Sequence, residues 1–319
     1  TQKLILKHFN SITIGNELKP DALLDQKATI ALAEETDDYT TPVINIGAAA
    51  VILDFCQKND LPVRGHTLVW HSQTPTWFFK EKWDASGDWV DKDTMLKRME
   101  NYIKTVFDTV GKSYPTINFY AWDVVNEAWE DDGNPRRAGS QEEGYSNSPW
   151  VKIFGDNSFI KYAFQFAKKY VMKGCKLYYN DYNEYISGKT KAIVKMVKDL
   201  NSGEQLIDGI GLQSHLDVQF PSPSMYEAAI KEFAELGVDL QVTELDATVS
   251  SNSADSFKTQ AKYYADIFKV LVKYSDKVSA VVVWGTLDST SWRASQYPLL
   301  FNGDYTAKEA FKSIAEVAK

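Results

Sequence analysis

The stretch INFYAWDVVNE, residues 117–127, indicates how this chain folds. It is rich in β-branched and aromatic residues, which is typical of a strand that is buried on both faces. It ends in Asn126 and Glu127, so a carboxylate directly follows an apolar run. Burying a carboxylate costs several kcal/mol unless it is paired or kept neutral. A glutamate in this place therefore indicates a functional site at the end of the strand.

Six other stretches look like strands, and segments of helical periodicity separate them. The strand-like stretches are 10–16, 62–70, 176–182, 208–216, 238–246 and 278–288, and the helix-like segments are 47–59, 93–112, 158–173, 189–202, 224–236, 256–275 and 306–317. Strands that alternate with helices predict right-handed βαβ units and a parallel sheet.

Nearly every predicted strand ends in side chains that can do chemistry. These ends carry Asn16, His71, Asn126 with Glu127, Asn180 with Asp181, Gln213 with His215, Glu244 with Asp246, and Trp284 with Asp288. In a (β/α)8 barrel, the carboxyl ends of the strands form one ring that holds the active site. An open doubly wound sheet is the alternative, but no GxGxxG motif follows the first predicted strand. We therefore expect a (β/α)8 TIM barrel, with residues 1–319 forming a single catalytic domain.

Composition and charge argue against several classes of function. The chain carries a net charge of -8 and has no basic run, so nucleic acid is not expected as a partner. It has no apolar run of about 18 residues, so no membrane partner is expected. With four histidines and no HExxH spacing, neither a metal nor another cofactor is expected. Aromatic residues make up 13% of the chain, and their flat faces suit stacking on sugar rings.

Two glutamates follow strongly apolar residues at predicted strand ends, Glu127 after AWDVVN and Glu244 after LQVT. Both would lie on the same rim of the barrel. Two carboxylates in unequal environments across a cleft can divide into an acid and a nucleophile or base. Glycoside hydrolysis through an oxocarbenium-like transition state requires such a pair.

Six motifs, taken together, resemble family 10 glycoside hydrolases, which are mostly retaining endo-β-1,4-xylanases. The motifs are RGHTLVWHSQ (64–73), WDVVNEA (122–128), YYNDYN (178–183), GIGLQSHL (209–216), VTELD (242–246) and WGTLDSTSW (284–292). They occur in the order typical of the family, and the resemblance extends from about residue 8 to 317.

The resemblance implies a role for each matched residue. Glu127 matches the general acid/base and Glu244 the nucleophile, with catalytic support from Asn126 on the sugar 2-hydroxyl, from His215 oriented by Asp246, and from Gln213 beside the nucleophile. The implied substrate-binding residues are Asn16, Lys19, His66, Trp70, Asn180, Tyr182, Trp284 and Trp292. The chemistry requires a raised pKa at Glu127 and an ionised Glu244. A retaining mechanism requires the two carboxyl groups to lie about 5–5.5 Å apart.

Two features depart from the family pattern. The family usually has ENxMK at the end of the first listed strand, whereas this chain reads GNELK, with Gly15 in place of a glutamate that bonds a sugar. We therefore expect altered recognition at that subsite. We also count seven strands, because the short strand typical of the family before its first helix is missing from residues 1–9. We expect it to lie upstream in the native protein.

The acidic, threonine-rich segment 30–47 is predicted to be a loop and a place for variation or insertion. The expected substrate is xylan or its oligosaccharides, and the expected state is a monomer. A carbohydrate-binding barrel with impaired catalysis and a β-1,4-glucanase remain as alternatives. Because polymeric substrates do not cross membranes, a secreted or periplasmic location is expected, although the first residues contain no signal-peptide pattern.

Overall fold

The structure, a computed structural model, describes residues 1–317. The strands are β1 (Ile12–Thr13), β2 (Val63–Trp70), β3 (Phe119–Asn126), β4 (Lys176–Asp181), β5 (Gly209–Leu212), β6 (His215–Asp217), β7 (Asp239–Thr248) and β8 (Val278–Val283). The helices are α1 (Gln2–His8), α2 (Pro20–Leu23), α3 (Gln26–Thr36), α4 (Ala50–Lys58), α5 (Lys92–Ser113), α6 (Pro149–Phe154), α7 (Phe159–Tyr170), α8 (Ser187–Leu200), α9 (Pro223–Ala234), α10 (Ala254–Lys273) and α11 (Glu309–Val317).

The eight strands form one parallel sheet that curls into a nearly closed barrel. Neighbouring strands pair in the order β1, β2, β3, β4, β5 and β7, and β6 and β8 also pair with β7. Strands β2, β5 and most of β3 are buried, because helices cover their outer face and side chains fill the barrel. The predicted (β/α)8 fold is confirmed.

The predicted count of seven strands is wrong, because the predicted strand 208–216 divides into β5 and β6. The break lies at Gln213 and Ser214, and Ser214 has a left-handed φ of 58°. Both pieces run alongside β7, so the eight strands occupy seven positions around the barrel. Within residues 1–317, β8 and β1 do not pair, and β8 is only partly buried. That a strand upstream of Thr1 closes this opening stays a prediction.

The barrel helices owe their position to amphipathic patterns and to polar caps. Helix α5 buries Met95, Met99, Ile103, Val106 and Val110, which recur every three or four residues. Its first turn is capped by Asp91, whose carboxylate accepts a hydrogen bond of 2.8 Å from the Thr94 amide. No helix in residues 1–317 combines the length and the apolar character needed to span a bilayer.

The loop predicted over 30–47 is wrong for its first part, since residues 30–36 belong to helix α3. Asp25 caps this helix by accepting a hydrogen bond from the Ala28 amide. Thr29 and Ala33, four residues apart, form its buried face. A buried threonine in an acidic, threonine-rich segment gives a weak hydrophobic period, and the helix was missed for that reason. Residues 37–47 lie between helices, and Ile44 forms an isolated bridge with Leu24.

A buried ionic cluster inside the barrel joins β2 to β3 beneath the strand ends. The guanidinium group of Arg64 forms a two-pronged ion pair with Asp123, and both side chains are fully buried. The same carboxylate accepts a hydrogen bond of 2.9 Å from Nδ1 of His66. This bond fixes the orientation of the His66 ring, which also lines the cleft above.

Candidate active site

A cleft of about 1040 Å³ lies at the carboxyl ends of the strands. Twelve of the fourteen predicted site residues line it: Asn16, Lys19, His66, Trp70, Asn126, Glu127, Tyr182, Gln213, His215, Glu244, Trp284 and Trp292. The other two, Asp246 and Asn180, are fully buried directly beneath it. The strand ends therefore meet in one place, as parallel strands in a barrel require.

Glu127 follows β3 directly and is held on all sides by hydrogen bonds. Its backbone has a left-handed φ of 55°, and its amide donates to the Asn180 carbonyl at 2.9 Å. Its carboxylate accepts from Nε1 of Trp70 and from Nε2 of Gln213, each at 2.9 Å. Nε of Arg136 donates to its carbonyl oxygen. These bonds fix the direction of the carboxyl group in the cleft.

The pKa of Glu127 is raised above its ordinary value, chiefly because the side chain is withdrawn from water at the floor of the cleft. The charges of Asp181 and Glu244 raise it further, against the hydrogen bond from Gln213 and the charge of Arg136. A raised pKa favours the protonated form of the carboxyl group, which is the form that can give a proton to a leaving group. The predicted direction is confirmed, although Asp181 contributes ahead of Glu244.

Glu244 lies within β7, across the cleft from Glu127, and its pKa is shifted in the opposite direction. Burial would raise its pKa, but the hydrogen bond from His215, the charges of His66 and His215, and the hydrogen bond from Asn180 lower it to about 2. Nε2 of His215 lies 3.2 Å from Oε2, and Nδ2 of Asn180 donates to Oε1 at 2.9 Å. Glu244 is therefore ionised throughout the neutral range, as the sequence predicted.

A network of amide groups connects the two carboxylates. Oδ1 of Asn126 accepts from Nδ2 of Asn180 at 3.0 Å and from Nε2 of Gln213 at 3.2 Å. Gln213 thus lies between both glutamates, because its carbonyl oxygen accepts from the Glu244 amide at 3.0 Å while its side chain contacts Glu127. A network in which each amide has a fixed partner holds the carboxylates in one geometry.

His215 is held in its charged form by carboxylates on both sides of the ring. Burial alone would lower its pKa, but Asp246 and Glu244 raise it to about 10. Asp246 contacts Nδ1 of His215 at 3.0 Å and also accepts from Nε1 of Trp292 at 3.0 Å and from Nη1 of Arg293 at 2.8 Å. The predicted orientation of His215 by Asp246 is present in the structure.

The side of the cleft near β1 combines a lysine with aromatic rings. Nζ of Lys19 donates to Asn16 at 3.0 Å and to Gln73 at 2.8 Å, and it lies 4.9 Å from the Trp70 ring centroid. The ring of Trp284 meets His66 edge-on at 5.6 Å. Polar groups beside aromatic faces suit a ligand with hydroxyl groups and apolar ring faces, such as a sugar.

One predicted role needs correction, and one functional residue was missed. Asn180 has no exposed surface, so the sugar contact that the resemblance implied is not available to it, and it holds Glu244 instead. Arg136 lines the cleft and contacts both the Glu127 carbonyl and the Tyr182 hydroxyl, the latter at 3.2 Å. It lies in the irregular segment 130–148, where no periodicity indicates which of two adjacent arginines points inward.

No group of three or more histidine, cysteine, aspartate or glutamate side chains in residues 1–317 is arranged to hold a metal ion. Both Cys56 and Cys175 are buried free thiols.

Comparison with known proteins agrees with this geometry. The family model described as "Glycosyl hydrolase family 10" matches residues 1–317. The chain is 45% identical over 315 residues to the bifunctional endo-1,4-beta-xylanase XylA of Ruminococcus flavefaciens, and 44% identical over 328 residues to endo-1,4-beta-xylanase Y of Acetivibrio thermocellus. Each match covers 98% of this chain but only 31% and 29% of the relative. The chain thus spans about a third of the length of these relatives.

Solved structures give the same result. A Clostridium thermocellum endo-1,4-beta-D-xylanase, crystallised with xylohexaose, superposes with a TM-score of 0.92 at 41% identity, over 100% of this chain and 63% of that one. An intracellular xylanase from Thermoanaerobacterium saccharolyticum superposes with a TM-score of 0.83 at 34% identity, over 98% of this chain and 89% of that one. With its barrel, its paired glutamates and a family match along its described length, the chain belongs to glycosyl hydrolase family 10.

Proposed function

We propose that this chain is the catalytic part of a retaining endo-β-1,4-xylanase that cleaves xylan or arabinoxylan by double displacement. The observation that carries the proposal is the opposed ionisation of two carboxyl groups in one cleft: the pKa of Glu127 is raised, and that of Glu244 is lowered to about 2. The names of the relatives support xylan as the substrate.

In the proposed first step, the ionised Glu244 attacks the anomeric carbon, while Glu127 gives its proton to the departing glycosidic oxygen. This step forms a covalent glycosyl-enzyme and releases the leaving-group side of the chain. In the second step, Glu127, now ionised, takes a proton from a water molecule, which displaces Glu244 and restores both groups. The amide of Asn126 lies beside Glu127 and would bind the sugar 2-hydroxyl in the transition state.

The environment of Glu244 supports its role as the nucleophile. His215 and Asn180 each donate one hydrogen bond to a different oxygen of Glu244. Each oxygen therefore keeps a second lone pair, and the two bonds hold the orientation of the carboxylate. His215 stays charged and balances the negative charge of Glu244 before attack.

The deciding experiment measures reducing ends released from xylan by the unchanged chain and by Glu127→Ala and Glu244→Ala. We expect activity in the first and a loss of about 10³-fold or more in both variants. Azide added with an activated xylobioside should rescue both variants. Glu127→Ala should then yield a β-xylosyl azide and Glu244→Ala an α-xylosyl azide. Azide products of the reversed anomeric form would contradict the assignment of the two glutamates.

Two alternatives are separated by the same assay. Faster hydrolysis of carboxymethylcellulose than of xylan would indicate a β-1,4-glucanase. Binding of xylohexaose without release of reducing ends would indicate a carbohydrate-binding barrel with impaired catalysis.

We also propose that the protein acts outside the cytoplasm, in a secreted or periplasmic location, because a polysaccharide cannot cross a membrane. Fractionation of the native host, with activity followed in each fraction, tests this. We propose further that the chain acts as a monomer, and sedimentation equilibrium tests that.

A further inference from the structure

Tyr145 is a large aromatic residue that the folded core does not use. Its side chain is 79% exposed, the highest value among the exposed large apolar and aromatic residues of residues 1–317. It lines the catalytic cleft together with its neighbour Ser146. An aromatic ring at the rim of a cleft presents an apolar face to whatever passes along that rim.

The segment that carries Tyr145, residues 137–148, is an ordered loop that is closed at its base. The Ser148 amide donates to the Arg137 carbonyl at 2.8 Å, and Ala138 bridges to Ser148. The chain leaves and re-enters the barrel at the same point, so the loop projects from the rim as a compact Ω-loop. Its tip can therefore reach the cleft without displacing any barrel element.

Hydrogen bonds within the loop fix its tip. The carboxylate of Glu143 accepts from the Ser140 amide at 2.9 Å, and the Asn147 amide donates to the Gly144 carbonyl at 2.8 Å. Nε2 of Gln141 donates to the carbonyl oxygen of Tyr145 itself, at 3.1 Å. The backbone that carries the ring is thus held on both sides, and binding a ligand requires little further ordering.

One contact ties the loop to a second loop, and the contacts at its base locate it relative to Glu127. The hydroxyl of Thr76, in the segment after β2, donates to the carboxylate of Glu142. The loop begins directly after Arg136, which contacts the carbonyl of Glu127 and the hydroxyl of Tyr182. The loop that carries Tyr145 therefore projects into the cleft from a base beside Glu127 and Tyr182.

The position of Tyr145 relative to Glu127 determines which part of a bound substrate Tyr145 would contact. In the proposed reaction, which this inference rests on, Glu127 protonates the oxygen of the departing sugar. The departing part of the chain therefore extends over the Glu127 side of the cleft. We propose that Tyr145 forms an outer subsite for the leaving-group side of a xylan chain, with its ring stacked on the apolar face of a xylose unit.

The test compares a short and a long substrate. For Tyr145→Ala, we expect kcat/KM on xylohexaose to fall about two- to tenfold, as removal of one aromatic stacking partner predicts. On xylotriose, which is too short to reach the rim, kcat/KM should be unchanged. Tyr145→Trp should retain or increase the value on xylohexaose, because it keeps an apolar ring at the same place.

Tyr305→Ala is the matched control, because Tyr305 is also exposed (51%) and does not line the cleft. It should leave the kinetics on both substrates unchanged. The melting temperature of Tyr145→Ala should equal that of the unchanged chain, because the ring makes no core contact. Equal losses on xylotriose and xylohexaose, or no loss on either, would overturn the inference.

Equilibrium binding of xylohexaose to Glu244→Ala, with and without the additional Tyr145→Ala substitution, tests the subsite in chains that should not cleave the ligand. Weaker binding by the double variant supports the subsite, and equal binding refutes it. If the unchanged chain binds xylohexaose but cleaves neither oligosaccharide, the proposed function fails while the binding comparison still tests Tyr145.

Discussion

Replacing Asp246 by asparagine should lower the turnover and change its pH dependence, because this carboxylate keeps His215 charged. Asparagine has the same shape but no charge, and it cannot accept all three hydrogen bonds that Asp246 accepts from His215, Trp292 and Arg293. One hydrogen bond to a charged group contributes about 1.5–3 kcal/mol. If that difference appears in the transition state, kcat falls about 10- to 100-fold.

The same substitution should change how stability depends on pH. The pKa of His215 in the folded protein is raised to about 10, above the ordinary 6.5. Its contribution to stability is therefore fully present below pH 6.5 and is lost as pH rises from 6.5 through 10. Without the Asp246 charge the folded pKa falls. The gap in melting temperature between the unchanged chain and Asp246→Asn should thus be largest near pH 6 and smaller near pH 10.

The assay combines thermal unfolding at a series of pH values with kcat on an activated xylobioside. Asp217→Asn is the control, because Asp217 lies on β6 together with His215 but bonds Thr248 and the Gln219 amide rather than the His215 ring. An unchanged kcat in Asp246→Asn, or a gap in melting temperature that does not vary with pH, would refute the account of His215.

Three further substitutions test the packing of the barrel and the departure at the cleft rim. Gly65→Ala should destabilise the fold by about 1–3 kcal/mol in urea unfolding, because the added Cβ would lie 2.1 Å from the Trp122 ring. Gly203→Ala is the control and should have no such effect, because a Cβ at that position would meet no atom within 4 Å. Asp123→Asn should lower stability by about 3–5 kcal/mol by leaving Arg64 buried without its charge partner, and equal stability in urea would contradict this. Gly15→Glu, whose side chain meets no atom within 4 Å at Cβ, should raise kcat/KM on short xylo-oligosaccharides about 10- to 100-fold. Unchanged kinetics would remove the hypothesis that Gly15 alters sugar recognition.

The arrangement of charges explains how one cleft keeps two carboxyl groups in opposite states. Within residues 1–317, no cationic group bonds the carboxylate of Glu127, since Arg136 contacts only its carbonyl oxygen. Glu244 has a charged imidazole bonded to its carboxylate. The difference between a backbone and a side-chain contact thus helps to separate the raised pKa of Glu127 from the lowered pKa of Glu244.

The sequence by itself determined the alternation of strands and helices and the rim on which Glu127 and Glu244 meet in one cleft. These features follow from local patterns, because the spacing of apolar residues and the polar residues at strand ends depend only on residues that are close together in the sequence. The division of 208–216 at Ser214 could not be predicted, since a left-handed serine depends on what the backbone packs against.

Only the tertiary structure decided which side chains meet. The bond from Trp70 to Glu127 joins residues 57 apart, and the bond from Asn180 to Glu244 joins residues 64 apart. The sequence placed Asn180 among the sugar ligands, but barrel closure buries it beneath the cleft, where it bonds Glu244. Loop 137–148, with Tyr145, has no periodic pattern, so only its closing hydrogen bonds fix where its tip lies. Strand direction is a local property, whereas the contacts across a barrel depend on the twist and register of all its strands together.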